Sequence, residues 1–333
     1  MHPVSEVIPL IPLTCYFLAI AIAHSLLPPT AVPLSNHKSA RHALFVVAAG
    51  SSLGITWYYM LIFLKWSFTD FYHPLSPDLS LKTLSYWLRE THLFEQAWRT
   101  VCATPARWWV SSQICTYASG IWTVFLWKEG TPLRHSPQRL IDVARERGIK
   151  RAWVYMFIGQ MVAVSYASAL FCAVRETMPS PRDPQRRTTH ASWKLVWTTI
   201  AATIATFGLY WTVSTSYFLY LLLIIHSLLF LPLFDDDDTP SSAITISQLY
   251  GINMLLSLVL HFGNSYLLYK TEGFRALLNV LDGHPAMSSV GWDVICCAII
   301  GIIGTEGYKQ ILPLLTGNLA GSIGWICRVQ AGR

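Results

Sequence analysis

Apolar residues run along this chain in stretches of about 20, the length an α-helix needs to cross the hydrocarbon core of a bilayer. They lie at 8–27, 42–64, 107–127, 152–174, 193–213, 217–234, 247–268 and 291–304, with a further candidate at 310–327. Several end as membrane helices do. Trp57, Tyr58 and Tyr59, then Lys65 and Trp66, close the second, while Arg107-Trp108-Trp109 opens the third and Trp127-Lys128 ends it. Only Ser214 to Ser216 separate 193–213 from 217–234, which predicts a tight antiparallel pair. Gly301 and Gly304 in the short 291–304 segment predict a tilt, a break or close packing. The expected fold is an all-α integral membrane protein, a polytopic bundle of about eight transmembrane helices forming one domain over 1–333.

Two polar insertions interrupt the pattern. Residues 82–104 read as an amphipathic helix between the second and third spans. Leu84, Leu88, Thr91, Trp98 and Cys102 share one side with helical spacing, Trp87, Phe94 and Val101 recur likewise, and Arg89, His92, Gln96 and Arg99 line the opposite side. Such a helix would lie along the interface or cap the bundle. The basic loop 128–151 predicts a second short helix, with Ser136 as N-cap, Pro137 at its first position and Gly148 as its stop. By the positive-inside rule this loop faces the cytosol and the N-terminus the lumen, which leaves the basic loop 175–192 on the wrong side. The first helix lacks the basic flank of a signal peptide and is read as retained.

Composition agrees with a lipid-facing surface. Of 333 residues 53% are hydrophobic and 13% charged, against about a quarter charged in soluble domains. The net charge of +6 sits mainly between Lys128 and Arg151 and between Arg175 and Lys194. Basic residues beside apolar segments touch anionic lipid, so membrane lipid is the expected partner and nucleic acid is not. The seven cysteines form no CxxC pair and no metal-ligand spacing with histidine, so no metal or cofactor is expected.

Polar and ionisable groups are expensive inside a membrane, so each is a candidate for function. The set comprises His24, Gln113, Gln160, His226, His261 with Asn264, Asp293 and Glu306. Glu95 and Glu90 join it because neither falls on the polar side of the amphipathic helix. Glu95 falls among Leu84, Leu88, Thr91, Trp98 and Cys102, and Glu90 among Tyr86, Trp87, Phe94, Ala97 and Val101. A carboxyl desolvated in this way holds its proton more tightly and could serve as a general acid; the alternative is pairing with Arg89, Arg99 or another basic residue. Asp293 follows Gly291-Trp292 at the expected start of a helix, where backbone N–H groups would favour an anion. His226 and His261, mid-helix, are either neutral groups bonded across helices or a base that removes a proton.

Asp235 to Asp238 is followed by Thr239-Pro240-Ser241-Ser242 and reads as a solvated acidic turn rather than a cation site. Diphosphate-ionising prenyl enzymes need two acidic magnesium motifs facing one cavity, and Asn279-Val280-Leu281-Asp282 is too sparse to be the second. Aromatic residues are abundant, with 14 Trp, 15 Tyr and 15 Phe. Many would anchor at the interface, and any surplus inside would suit a carbocation, because ring faces attract positive charge.

Leu93-Phe94-Glu95-Gln96-Ala97-Trp98, Thr104-Pro105-Ala106-Arg107-Trp108-Trp109 and His284-Pro285-Ala286-Met287-Ser288-Ser289-Val290-Gly291-Trp292-Asp293 resemble fungal membrane-bound terpene cyclases of the ascochlorin and ascofuranone type. The likeness runs from about residue 50 to 295 and is weaker after Asp293. It implies meroterpenoid, secondary-metabolite biosynthesis in a fungal endomembrane, expected to be the endoplasmic reticulum. The implied substrate is an aromatic or polyketide core bearing a farnesyl-type chain, its terminal double bond already epoxidised by an upstream epoxidase. A protonated acid would open the epoxide and drive ring closure with no diphosphate, metal or cofactor. In that reading Glu95 is the leading acid and Asp293 or Glu90 the second acid or terminating base. Trp98, Trp109, Gln113, His226, His261 and Trp292 would line the substrate.

Three rival functions remain. A transporter would show repeats and broken helices in matching halves, and no repeat is visible. A sterol-type membrane isomerase or reductase would also use intramembrane acids. A receptor or scaffold is suggested by helix number alone.

Overall fold

The computed structural model describes residues 8–28, 36–75, 78–130, 149, 151–177, 190–234 and 240–304. The expected short helix after Ser136, the acidic run Asp235–Asp238, Glu306 and the candidate span 310–327 lie outside these residues. The described chain is mostly helical. A 3₁₀ turn, Ile8–Leu10, leads into α1 (Ile11–Ser25), followed by α2 (Asn36–Tyr72), α3 (Leu81–Glu90) and α4 (Leu93–Cys102). Next, α5 (Pro105–Thr116) continues through a π turn, Tyr117–Trp122, into α6 (Thr123–Gly130), and α7 (Ala152–Met161) and α8 (Val164–Thr177) follow. The remainder is β1 (His190–Ser192), α9 (Trp193–Thr212), α10 (Phe218–Phe230), β2 (Ser241–Thr245), α11 (Ile246–Thr271) and α12 (Pro285–Ile303). Five helical segments are long and apolar enough to cross a membrane: Ile8–Ser25, Arg41–Tyr72, Trp193–Thr212, Ile246–Thr271 and Pro285–Ile303. The protein is therefore an integral membrane protein of the all-α kind. Its small sheet is the antiparallel pair β1–β2.

The segment expected as a fourth span, 152–174, does not run straight. It folds into a hairpin, α7 in and α8 back, turning at Val162 and Ala163. The rings of Tyr155 and Phe171 lie 5.0 Å apart, whereas 16 residues of straight helix would separate them by about 24 Å. Nearer the tip, a Cβ built on Gly159 would stand 3.5 Å from Cβ of Ala167. Both outer ends of the hairpin lie beside the end of α6: Ile149 donates its N–H to the Glu129 carbonyl at 3.4 Å, and Arg175 pairs with Glu129 at 3.4 Å.

Other contacts gather at that end of the bundle. Arg41 at the start of α2 pairs with Glu176, Arg151 reaches the Leu26 carbonyl after α1, and Lys194 reaches the Phe234 carbonyl beyond α10. The β1–β2 ribbon lies at the same end. The opposite end holds Tyr72 against the Thr83 carbonyl, Arg99 against the α9–α10 turn and His284 against Trp66. Seven helical runs among the described residues connect the two ends: α1, α2, α5–α6, α9, α10, α11 and α12. The hairpin enters and leaves from the basic end, so Glu129, Ile149 and Arg175, the described residues at its two outer ends, share a side, and a crossing between the two basic segments is not required. The predicted pair 193–213 and 217–234 is present as α9 and α10. Along α9, exposed Trp193 and Trp197 at one end and Trp211 at the other bracket about 27 Å of helix, close to the hydrocarbon thickness.

Two further boundaries differ from expectation. The amphipathic helix 82–104 is two helices, because Thr91 is extended and its backbone N–H caps the Trp87 carbonyl. Thr and His are weak helix formers, and they fall together at Thr91-His92. Ser80 caps the start of α3, accepting from Thr83 N. The last helix starts at Pro285 rather than 291, with Pro at its first position and His284 accepting from the Ala286 N–H at 3.2 Å. Asp293 is therefore in the middle of α12.

Two measurements check the hairpin. In the Gly159→Cys/Ala167→Cys chain the two Cβ atoms fall near the about 3.5–4.5 Å disulfide range, so mild oxidation is expected to cross-link them. A straight helix would hold them about 12 Å apart and unlinked. Glycosylation tags inserted in 131–148 and in 178–189 are expected to report the same side of the membrane; opposite states would require 152–177 to cross it.

Candidate functional site

α4 packs against α12 and is tied by hydrogen bonds to α2 and α5. Ser67 of α2 donates to Gln96 Oε1 at 2.6 Å and itself accepts from Trp87 Nε1 at 3.2 Å. Ser111 of α5 donates to the Val101 carbonyl at 2.8 Å. This seating leaves Glu95 about 20% exposed and one turn from Arg99, which donates to Glu95 Oε1 from Nε at 2.8 Å and from Nη2 at 2.6 Å. Arg99 also donates to the Val213 and Thr215 carbonyls, and its guanidinium lies over the Phe218 ring at 5.0 Å. A cation suits that position, because carbonyls at the end of α9 lack helical partners. The pairing with Arg99 that was left open for Glu95 is present. Both Arg99 bonds fall on Oε1, so Oε2 is the oxygen left for another partner.

Glu90 has a different setting. The break at Thr91 removes the helical face on which it was expected to share surroundings with Phe94 and Val101. Its carboxylate is about 43% exposed and pairs with Arg89 at 2.8 Å. It stands apart from the interior groups.

Trp98 and Phe94, on the same helix as Glu95, meet His226 of α10. The ring centroids lie 5.6 Å and 5.9 Å from the imidazole, at interplanar angles of 87° and 75°. His226 Nδ1 lies 2.8 Å from the Leu222 carbonyl. A carbonyl can only accept, so Nδ1 carries the hydrogen and Nε2 of the neutral ring keeps its lone pair. Gln160, at the end of α7, donates to the His226 carbonyl at 3.2 Å. Phe94, Trp98 and His226 are thus brought together, with Gln160 joining them from the hairpin, and Glu95 lies on the same helix three residues before Trp98.

Trp109, Gln113 and His261 form a second group between α5 and α11. Trp109 lies 4.8 Å from His261, ring to ring, and donates from Nε1 to Ser265 Oγ at 2.9 Å. Asn264 donates to Ser112 Oγ at 3.0 Å. These are interhelical polar bonds of the kind that hold membrane helices together. Gln113 uses its amide hydrogen on the Trp109 carbonyl at 3.2 Å, and its buried Oε1 is without a partner among the described residues.

Asp293 lies in neither group. It is buried at the tip of the hairpin and accepts three hydrogen bonds: from Val164 N at 3.1 Å, from Ser165 N at 2.8 Å and from the Ser165 hydroxyl. The expectation that it sits at the start of its own helix does not hold, since α12 begins eight residues earlier at Pro285; the helix start it meets is that of α8. On the other side of the turn, the Tyr16 hydroxyl of α1 donates to the Met161 carbonyl. Trp292 is half-buried on the neighbouring position of α12, turned about 100° from Asp293. Sequence reasoning missed Tyr16 and Ser165 as interior partners, whereas Arg99 was among the partners it offered for Glu95. Arg99 alone had a signal, being four residues from Glu95.

Among the described residues no three His, Cys, Asp or Glu side chains gather as a metal site. Where α12 begins, His284 is held neutral: its pKa is pushed down to about 4 by burial and, secondarily, by the Arg107 guanidinium. Its ring stands edge-on to Trp66 at 4.3 Å, and its Nδ1 is already an acceptor for Ala286 N–H. A folded pKa below the unfolded value, about 6.5, means that the unfolded chain binds more protons between those values. The stabilising contribution of His284 is then complete above about pH 6.5 and is lost as pH falls towards about 4. Thermal unfolding in detergent is expected at lower temperature at pH 5 than at pH 7, with a weaker dependence in His284→Gln. An unchanged dependence in that variant would assign the effect elsewhere.

No family model, curated protein or solved structure matches the chain.

Proposed function

We propose that this protein is a membrane-bound terpene cyclase that opens the terminal epoxide of a prenylated aromatic or polyketide substrate and closes its rings within the bundle. The observation that carries the reading is the arrangement on α4. Among the described residues Glu95 has hydrogen bonds on one carboxyl oxygen only, and it shares α4 with Trp98 and Phe94, whose rings stand against His226. A proton on Oε2 leaves both Arg99 bonds on Oε1 intact. Transfer of that proton to the epoxide oxygen breaks the C–O bond and leaves a hydroxyl and a tertiary cation. The aromatic faces of Trp98 and Phe94 stabilise the positive charge, and a neighbouring double bond attacks it to close a ring. In this reading His226 Nε2, which keeps its lone pair, accepts the proton released at the end, and return of that proton to Glu95 makes the reaction a net isomerisation. Gln113 Oε1 would accept a hydroxyl of the substrate.

In this proposal the basic end of the bundle faces the cytosol, the N-terminus faces the lumen and the membrane is that of the endoplasmic reticulum. One observation favours a transporter instead: a half-helix beginning inside the bundle, as α8 does, is a transporter feature. Here, however, that helix start is filled by the chain's own Asp293.

Microsomes containing the protein are expected to cyclise an epoxyfarnesyl phenol. Glu95→Gln retains an acceptor for Arg99 but has no acidic proton, so turnover should fall by about 10²- to 10⁴-fold at unchanged protein level. Near-wild-type turnover would leave Glu95 as a partner of Arg99 only and would remove it as the acid.

A further inference from the structure

Asp293 holds more hydrogen bonds than either acid of the α3–α4 region, and all of them belong to the hairpin. We propose that Asp293 is a positioning residue, an anion built into the membrane interior to hold the re-entrant hairpin, and through Gln160 to hold His226 against Trp98.

A helix that starts inside a bundle leaves its first N–H groups without partners. Water cannot reach them in the hydrocarbon region, so protein must. The Val164 and Ser165 N–H groups are two of these, and both point at Asp293, as does the Ser165 hydroxyl. Ser165 also contacts the Ser52 hydroxyl of α2, and Ser289, one turn before Asp293 on α12, donates to the Thr56 carbonyl of the same helix at 3.0 Å. The carboxylate is thus the centre of a buried polar contact joining α2, α8 and α12. Gln160 precedes the turn by two residues, and its bond to His226 fixes α7 on α10. Displacement of the tip would carry Gln160 with it.

The full-length chain in detergent tests this without reference to any reaction, and an activity arm rests on the proposed cyclase reading. Asp293→Asn presents an N–H₂ where one backbone N–H needs an acceptor. It is expected to lower the unfolding midpoint by about 5 °C and to reduce the yield of the 159–167 cross-link. Ser165→Asp/Asp293→Ser returns a carboxylate to the first turn of α8 from the other side, and should restore both. In microsomes the single variant should lose about tenfold or more in kcat at unchanged KM, and the exchanged pair should recover most of it. Two results would overturn the inference: an unchanged midpoint and cross-link in Asp293→Asn, or an exchanged pair that regains stability but no turnover, which would mean direct participation of Asp293 in the chemistry. If the exchanged chain does not accumulate, Ser165→Ala decides, since it removes one bond of the three. A smaller shift of the midpoint in the same direction supports the inference, and no shift ends it. Absence of cyclisation in the unmodified protein alongside an intact stability response would overturn the cyclase reading only.

Discussion

The turn at Val162 and Ala163 exposes backbone N–H and carbonyl groups where no water can hydrate them, and their satisfaction constrains much of the bundle. An unsatisfied group in hydrocarbon costs several kcal/mol, so irregular backbone survives there only when protein supplies the partners. The acceptor for the N–H groups comes from α12 and a donor for the carbonyl of Met161 comes from α1. The first and last described helices are therefore fixed against the same point. From that point Gln160 extends to α10, and Ser165 to α2. The aromatic group on α4 meets a histidine whose own place follows from these bonds.

Much of this architecture can be read from hydropathy, and the part that cannot has a specific cause. Residues 193–213 and 217–234 announce a helical pair because a short polar turn separates two apolar runs. The hairpin announces nothing. Residues from Ala152 to Thr177 contain no proline, have one glycine at Gly159, and match a spanning segment in polarity. Their turn is imposed by Asp293, more than a hundred positions away, which no local pattern reveals. The conflict between two basic loops was the one trace of it in the sequence, since a true crossing would have put them on opposite sides. The start of α12 is the reverse case: His284-Pro285 is a local signal for a helix start, outweighed by the more apolar stretch that follows it.

The candidate site divides in the same way. Acids on an apolar helix face were legible, but their partners depended on where the helix breaks. A single helix over 82–104 would have placed Glu90 and Glu95 in similar surroundings. The break at Thr91 leaves Glu90 at the surface with Arg89 and turns Glu95 inward with Arg99. Arg99 has a dual role, since it also satisfies carbonyls at the α9–α10 turn. The carboxylate, the guanidinium and the helix end are thus one electrostatic unit, and the aromatic residues beside it gain a fixed orientation from it.

The β1–β2 ribbon and the order of the helices bear on how the chain is made. α7 and α8 leave the ribosome well before α12, yet the hairpin they form has no acceptor for its tip until α12 arrives. During synthesis the tip must wait at the membrane surface, shielded by lipid headgroups and water, or borrow partners from the insertion machinery. The strand β1, which follows directly, can pair only after β2 emerges and so holds the outer end loosely in the interval. A chain that stopped short of residue 285 would carry four of the five long apolar helices and lack the group that lets 152–177 settle.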